Sequence, residues 1–365
     1  MDGQVARRDD AGLAALLEKF VCVRIVQGWG MDLSVFQFDN DLTWAAFLMN
    51  ADKTIYGRYG TKSGKDAMKD ISLEGFKKAL EGALELHQGY PANKPSLAGK
   101  TGPAPRWKTP ETMPTLAGKH KQGDVSRWGC VHCHMAHESE VTSLFAARQP
   151  VEDRLLWKYP MPDLLGFSLD PRERATVSAV AKGSAAEKAG LRPGDRIATL
   201  EGQPMLSLAD VQWVLHQAKD PGSVKAELER GGQKAAVTIP LAKDWRRGGT
   251  FVWPGHITAW MLQLDLPGFG AQALTPQEKR QAGLAETAFA LKVQHVNAQD
   301  KNKSTAASRA GLQKNDIITA VDGKSAFSGE SDYVAYLYQK KKPGDRVDLT
   351  VLRGGKPQSL TLTLP

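Results

Sequence analysis

The stretch of sequence that decides the fold reads Ser184-Ala185-Ala186-Glu187-Lys188-Ala189-Gly190-Leu191-Arg192-Pro193-Gly194-Asp195-Arg196-Ile197. It returns further along the chain as Thr305-Ala306-Ala307-Ser308-Arg309-Ala310-Gly311-Leu312-Gln313-Lys314-Asn315-Asp316-Ile317-Ile318. The glycines Gly190 and Gly311 lie 121 positions apart (311 − 190), and so do Asp195 and Asp316. A constant spacing between matching landmarks indicates a tandem repeat of one structural unit.

Each copy of the repeat predicts a small barrel of short strands with two helices. Ser184 is a typical helix cap, and Gly190 is a typical helix end. A short strand is predicted at 196–200 and a second helix at 208–218. Two further strands meet at Arg230-Gly231-Gly232, and the second copy repeats this order of elements.

The two copies resemble PDZ domains in the bacterial arrangement, over about residues 160–243 and 265–365. Leu164-Leu165-Gly166-Phe167 is similar to the PDZ loop that binds a terminal carboxylate, together with the start of the strand after it. The resemblance implies that an extended peptide adds to the edge of that strand. Leu208 and Val211 of the second helix are then expected to face the peptide.

The second copy departs from this pattern at the corresponding loop, which reads Pro267-Gly268-Phe269-Gly270. A helical insertion is predicted directly after it, around Leu274-Thr275-Pro276-Gln277-Glu278. We therefore expect the first copy to bind a C-terminal peptide or a protein partner, and the second to bind weakly or not at all. The alternative is that both copies are rigid spacers or dimer-forming modules.

The first ninety residues predict a different domain. Phe20–Val26 is typical of a buried strand that would hide Cys22, a hairpin is predicted over 45–59, and the apolar stripe of 73–87 predicts a helix. This order resembles the second half of a thioredoxin fold that lacks its Cys-x-x-Cys motif. Together with the PDZ-like repeats, it resembles a family of bacterial thioredoxin-like/PDZ proteins, some of which carry selenocysteine.

A cysteine-histidine cluster reads Cys130-Val131-His132-Cys133-His134 and matches the attachment motif of c-type haem. Cys130 and Cys133 would form the thioethers to one covalent haem c, and His134 would bind the iron. Met161, between two prolines, is the preferred sixth ligand. The other candidates for that ligand are His120, His137, Met113 and Met135. A zinc site or a redox dithiol remains an alternative reading of the two cysteines.

Composition excludes several classes of function. The chain has 365 residues and a net charge of +8, with Lys and Arg spread along it, which predicts a solvated surface and no nucleic-acid partner. No run approaches the roughly 18 apolar residues of a membrane helix, so we predict no transmembrane segment. Haem c attachment takes place outside the bacterial cytoplasm, so we expect a periplasmic or otherwise exported protein whose signal peptide is absent from this chain.

Taken together, the sequence predicts a multidomain α+β protein. We expect a thioredoxin-like domain at 1–90, a linker and haem-binding segment at 91–160, PDZ domains at 161–243 and 265–365, and an inter-domain segment at 244–264. The predicted function is electron transfer or haem-based redox chemistry with a redox partner protein. The alternatives are a thiol-disulfide oxidoreductase or chaperone-like factor that uses Cys130 and Cys133, and a non-redox PDZ scaffold. A Gly-x-Ser-x-Gly nucleophile loop is absent, which argues against a serine protease.

Overall fold

The structure is a computed structural model, which describes residues 10–42, 44–64, 69–119, 130–249, 257–297 and 304–365. The chain divides into two compact units. Unit 1 comprises Met1–Thr112, Leu116–Cys133 and Trp157–Gly249. Unit 2 comprises Met113–Thr115, His134–Leu156 and Thr250–Pro365.

Helices and strands both occur in each of the two units. The helices are α1 (Ala11–Leu17), α2 (Leu73–Gln88), α3 (Lys94–Leu97), α4 (Cys133–Ala146), α5 (Asp153–Leu156), α6 (Ala185–Lys188), α7 (Leu208–Gln217), α8 (Ile257–Asp265), α9 (Pro276–Gln281), α10 (Ala306–Arg309) and α11 (Glu330–Lys340). The strands are β1 (Ala46–Met49), β2 (Ile55–Tyr59), β3 (Phe167–Leu169), β4 (Val177–Val180), β5 (Arg196–Leu200), β6 (Gln203–Pro204), β7 (Gly222–Arg230), β8 (Gln233–Leu241), β9 (Phe269–Ala273), β10 (Leu291–Val296), β11 (Ile317–Val321), β12 (Arg346–Arg353) and β13 (Lys356–Thr363).

The first repeat, β3 to β8, packs two antiparallel sheets and α7 around one core in unit 1. Strands β3 and β4 form one sheet, and the order β6-β5-β7-β8 forms the other. Along β7, Val224, Ala226 and Leu228 are buried while the residues between them are exposed. That period of two places one face of β7 on the core with Trp213 of α7.

The second repeat, β9 to β13, forms a single five-stranded sheet in unit 2, in the order β13-β12-β11-β10-β9. All of its neighbouring strands are antiparallel. Phe269, Ile318, Tyr333 and Val351 are almost fully buried in its core. The order of elements follows that of the first repeat, with α10 and α11 in the places of α6 and α7.

An ion pair recurs at the landmark aspartate of both repeats. Arg230 Nε lies 2.7 Å from Asp195 Oδ1, and a second guanidinium nitrogen donates to the carbonyl oxygen of Gly190 at 2.8 Å. Arg353 makes the same contacts with Asp316, at 2.8 Å, and with Gly311, also at 2.8 Å. The Asp and Arg-Gly-Gly landmarks of the sequence are therefore partners in the fold.

The N-terminal part of unit 1 confirms the predicted hairpin and helix but not the predicted strand. Strands β1 and β2 pair antiparallel, and α2 begins at its cap Ser72. Residues 21–26 form no strand, and the side chains of Val21 and Val23 are 94% and 81% exposed. Cys22 is exposed, so its predicted burial is wrong. The sheet formed by the described residues of this part is the two-stranded hairpin, which does not reproduce a thioredoxin half-fold.

Part of the predicted linker is folded into unit 1. Helix α3 and the 3₁₀ turn Ala98–Lys100 follow α2 within a few residues. Lys100 is fully buried, and its Nζ lies 2.9 Å from Asp210 Oδ1 of α7. The prolines of this stretch therefore do not prevent local helical turns. Among the described residues, no helix is long and apolar enough to cross a membrane.

Candidate peptide-binding site

The loop before β3 takes a tight turn that requires glycine. Pro162–Leu165 forms a 3₁₀ turn, and Gly166 ends it in the left-handed region with φ +86°. A Cβ on Gly166 would lie 2.1 Å from the Cβ of Ser184, which leaves no room for another side chain. The carbonyl oxygen of Gly166 accepts from Ala181 N at 2.7 Å, so this side of the loop is fixed to the repeat.

Strand β3 pairs with β4 along one edge only. Phe167 is opposite Val180, and Ser168 is opposite Ala179. Because the Gly166 carbonyl points to the β4 side and backbone groups alternate, the N–H and C=O groups of Phe167 and Leu169 point to the other edge. Among the residues that the structure describes, no side chain hydrogen-bonds to these groups. This edge of β3 is therefore available to an added strand.

Helix α7 packs on the 3₁₀ turn before β3 and carries the predicted contact residues. Its cap, Ser207, accepts from Ala209 N at 3.0 Å. Val211 is buried in the core cluster of the first repeat together with Leu165 and Phe167. The predicted contact residues Leu164 and Leu208 are partly buried and pack against the same cluster. The structure thus brings the predicted peptide-binding residues together, with Leu164 and Leu208 the more accessible of them.

The end of α7 is held by Arg246, which the sequence analysis did not single out. Its guanidinium donates to the carbonyl oxygens of Leu215, His216 and Ala218 at 2.9, 3.0 and 2.7 Å. These are carbonyls at a helix end, where a cation is favoured by the helix dipole. Arg246 is 2% exposed. The signal in the sequence was a basic pair just beyond the predicted end of the repeat at residue 243.

The sequence analysis also did not predict a buried ionic cluster, which lies on the face of α7 that carries Asp210. Asp210 is fully buried, and it accepts from Arg58 N at 3.2 Å besides its ion pair with Lys100. Burial lowers the pKa of Lys100, while the Asp210 carboxylate opposes that shift. Burial also lowers the pKa of Arg58, to about 10. These partners lie about 110 and 150 residues away from Asp210 in the chain, so no local pattern indicated them.

The corresponding edge of β9 in the second repeat is already bonded. Ala271 N donates to Gln263 Oε1 of α8 at 2.9 Å, and Ala273 N donates to Glu330 of α11. A Cβ on Gly270 would lie 2.1 Å from the Trp260 ring, so α8 packs directly on this strand. Gly268 accepts from Asn297 N as Gly166 accepts from Ala181 N, so Ala271 is the counterpart of Leu169. The N–H of Ala271, which would pair with a peptide strand, is therefore occupied by a side chain of the same unit, and so is the next outward N–H, that of Ala273. The predicted helical insertion is confirmed as α9.

The cysteine-histidine segment forms the start of α4. Cys130 and Cys133 are free thiols and are partly buried. Burial raises the pKa of the Cys133 thiol, which is opposite to the shift expected at a reactive thiol. Within the described part of the chain, no group of three or more His, Cys, Asp or Glu residues could hold a metal ion. His120, one of the candidate iron ligands, lies outside the described residues.

Met161, the predicted sixth iron ligand, packs against side chains of unit 1. Its sulfur lies 3.2 Å from Gln212 Nε2 and 3.9 Å from Thr61 Oγ1. Gln212 Nε2 also donates to the carbonyl oxygen of Tyr159 at 2.8 Å. The methionine thus fixes the segment that leads into the loop before β3.

Comparison with known protein families identifies the repeats. The family model for the PDZ domain matches residues 163–241 and 277–364. Both repeats are PDZ domains. The first repeat is called PDZ1 and the second PDZ2 below. The fold is therefore mixed α/β with two PDZ domains, as the repeat had indicated.

Curated relatives are periplasmic proteases. The chain is 27% identical over 156 residues to the periplasmic pH-dependent serine endoprotease DegQ of Escherichia coli, covering 43% of this chain and 30% of that protein. It is 27% identical over 207 residues to a probable periplasmic serine endoprotease DegP-like of Pseudomonas savastanoi, covering 54% and 39%. A solved structure titled HtrA-type protease AlgW with decapeptide is 18% identical, with a TM-score of 0.23, and covers 39% of this chain and 49% of that chain.

The chain spans about a third of the length of these curated relatives. All of them are named as periplasmic, which confirms the predicted periplasmic or otherwise exported location.

The same relatives overturn the haem interpretation. The chain is related to periplasmic serine endoproteases, which need no haem, and the resemblance to thioredoxin-like/PDZ selenoproteins is wrong. The predicted haem c on Cys130, Cys133 and His134, with Met161 as a further ligand, and the predicted electron transfer are therefore wrong as well. A redox partner has no support. The two alternatives, a thiol-disulfide factor and a non-redox scaffold, are not favoured by these relatives either.

Proposed function

We propose that PDZ1 binds the free C-terminus of a peptide or protein in the periplasm. The observation that carries this proposal is the outward edge of β3, with Phe167 and Leu169 presenting backbone groups beside α7. A ligand strand adds to that edge by main-chain hydrogen bonds. The terminal carboxylate lies at the end of the loop, where the backbone N–H of Phe167 receives it.

Apolar side chains give this site its selectivity. Leu164 and Leu208 are partly buried around a floor that includes Leu165, Phe167 and Val211. A floor of this kind favours an apolar side chain at the end of the ligand, because the buried apolar area stabilises the complex. Charged terminal residues would be desolvated here without a partner and are disfavoured.

PDZ2 is proposed to leave C-terminal peptides unbound. A ligand strand on β9 would have to displace the Gln263 and Glu330 side chains from Ala271 N and Ala273 N, and α8 as well. The free energy that is lost when those hydrogen bonds break offsets the free energy that is gained from new hydrogen bonds to the ligand. The two domains of one chain therefore differ in function although they share a fold.

A matched pair of variants tests this assignment in the full-length chain. Leu208 and Glu330 are the first residues of α7 and α11, respectively. In Leu208→Glu, a carboxylate replaces an apolar side chain beside the ligand, and we expect affinity for a C-terminal peptide to fall about tenfold or more. Glu330→Leu is the control and should leave that affinity unchanged.

Peptides from a C-terminal library are titrated by fluorescence anisotropy, each as a free acid and as an amide. Binding of the free acid and loss of binding with the amide would support capture of the carboxylate by the loop. Equal binding of acid and amide, or a loss of affinity in Glu330→Leu instead of Leu208→Glu, would contradict the assignment to PDZ1.

A further inference from the structure

The proposed ligand of PDZ1 lies in a groove between β3 and α7. This groove has two ends, and the loop that ends at Gly166 forms one of them. A peptide whose carboxylate lies at the start of β3 runs antiparallel to that strand. Its upstream residues therefore pass Leu169 and leave the groove near the start of α7. This upstream end lies between Pro171, two residues beyond β3, and Ser207, the cap of α7.

Strand β2 is fixed to the α7 side of the upstream end. Ser207 Oγ donates to the carbonyl oxygen of Arg58 at 2.5 Å, and Arg58 N donates to Asp210 Oδ1 at 3.2 Å. The Lys100–Asp210 ion pair lies behind these contacts and is fully buried. Removing one partner of such a pair is strongly unfavourable, so the Lys100 turn is held firmly on α7. The Arg58 side chain of β2 donates to the carbonyl oxygen of Lys100 at 2.6 Å and so ties β2 to the same turn.

Helix α2 is fixed to the β3 side of the same end. Ser72 Oγ donates to the carbonyl oxygen of Pro171 at 2.9 Å. A Cβ on Gly75 would lie only 2.1 Å from that oxygen, so the first turn of α2 is in direct contact with the backbone after β3. The carbonyl of Pro171 is therefore not available to pair with a ligand strand.

Tyr59 joins the two sides. It follows Arg58 in β2, and its hydroxyl donates to the carbonyl oxygen of Ser72 at 2.6 Å. In return, Ser72 N donates to the Tyr59 hydroxyl oxygen at 2.9 Å. Tyr59 is 4% exposed. Contacts thus run without a break from Ser207 through Arg58, Tyr59 and Ser72 to Pro171.

We propose that β2 and α2 close the upstream end of the PDZ1 groove, which limits the ligand to its last few residues. Only Phe167 and Leu169 offer outward backbone groups, and two such residues pair with a segment of about four ligand residues. The chain before that segment turns away into solvent. The inference rests on the proposed peptide binding by PDZ1, and it makes Tyr59 and Ser72 determinants of ligand length.

A length series tests the closure on the unmodified full-length chain. Peptides of four, six and ten residues share the same four C-terminal residues and are titrated by calorimetry. We expect their dissociation constants to agree within about twofold, because an added backbone hydrogen bond would otherwise change affinity about 2- to 12-fold. A tenfold gain for the ten-residue peptide would overturn this inference alone. Binding by none of the three would overturn the proposed function and, with it, this inference.

Ser72→Asp tests the contact with Pro171. Aspartate keeps an acceptor for the Gly75 N–H that Ser72 caps at 2.9 Å, but it cannot donate to the Pro171 carbonyl. In this variant we expect the ten-residue peptide to bind about threefold or more tightly than the four-residue peptide. Thr275→Asp, at the cap of α9, is the control and should leave the ratio at one. A ratio of one in a folded Ser72→Asp protein would overturn the role given to Ser72.

Discussion

At the residue scale, one aspartate per PDZ domain connects the helix end to the last hairpin. Asp195 is 1% exposed, and it also accepts from Arg192 N at 2.8 Å. Hydrogen bonds from Arg230 lower the pKa of Asp195 below its ordinary value, although burial opposes that shift. A carboxylate with a depressed folded pKa stabilises the fold above its unfolded pKa, and this stabilisation is lost as the pH falls through the folded pKa.

Replacing this carboxylate should therefore remove both stability and part of its pH dependence. We expect Asp195→Asn to lower the free energy of unfolding by about 1–3 kcal/mol at pH 7, and to flatten its decline below about pH 4. Urea unfolding between pH 2.5 and 7 measures both effects. Asp316→Asn should also lower the free energy of unfolding at pH 7, because it breaks the ion pair with Arg353, while Glu81→Gln, on an exposed part of α2, should change little. If the free energy of unfolding of Asp195→Asn declined below about pH 4 as steeply as that of the unsubstituted protein, the proposed dependence of stability on the Asp195 carboxylate would be contradicted.

At the element scale, α7 is the centre of unit 1 because every face of it is used. Its core face packs on β3 to β8, and its other face carries Asp210 against Lys100 and Arg58. Arg246 satisfies carbonyls at its C-terminal end. A helix of ten residues is marginal by itself, so these contacts from distant parts of the chain decide its position.

The cap from Arg246 gives a prediction for this element. Arg246→Ala leaves three carbonyl oxygens of the α7 end without their cation, and we expect a loss of about 2–4 kcal/mol in the free energy of unfolding. Lys243→Ala, an exposed neighbour, is the control and should stay within about 0.5 kcal/mol. Urea titration followed by tryptophan fluorescence measures both variants. Equal stability of the two would show that the cap contributes nothing.

At the scale of the whole molecule, the sequence predicted what local landmarks encode. The two PDZ domains were found because Gly190 and Asp195 recur at a fixed spacing, and both serve turns within a few residues of themselves. The sequence analysis interprets the α8 segment as an inter-domain stretch, although α8 packs on β9 through Gln263 and Ala271, which lie only 8 residues apart. Phe20–Val26 has the apolar pattern of a buried strand, yet burial requires partners that no single segment can specify.

The haem prediction from the Cys-x-x-Cys-His motif is wrong for a related reason. The spacing of Cys130, Cys133 and His134 is compatible with haem attachment, but a motif of five residues is a hypothesis that its surroundings must support. The described residues around it supply no further ligand cluster, and the relatives are serine endoproteases. The flanking prolines make Met161 a candidate ligand in the sequence, whereas its contacts with Gln212 and Thr61 are structural.

The central claim is that the strand edge of PDZ1 is open while that of PDZ2 is closed by its own side chains. Residue-resolved amide hydrogen exchange tests it directly, with and without a saturating C-terminal peptide. The amides of Phe167 and Leu169 should exchange quickly in the free protein and become protected by the peptide. The amides of Ala271 and Ala273 should be protected in both states. Peptide-induced protection at Ala271 and Ala273, with none at Phe167 and Leu169, would contradict the account.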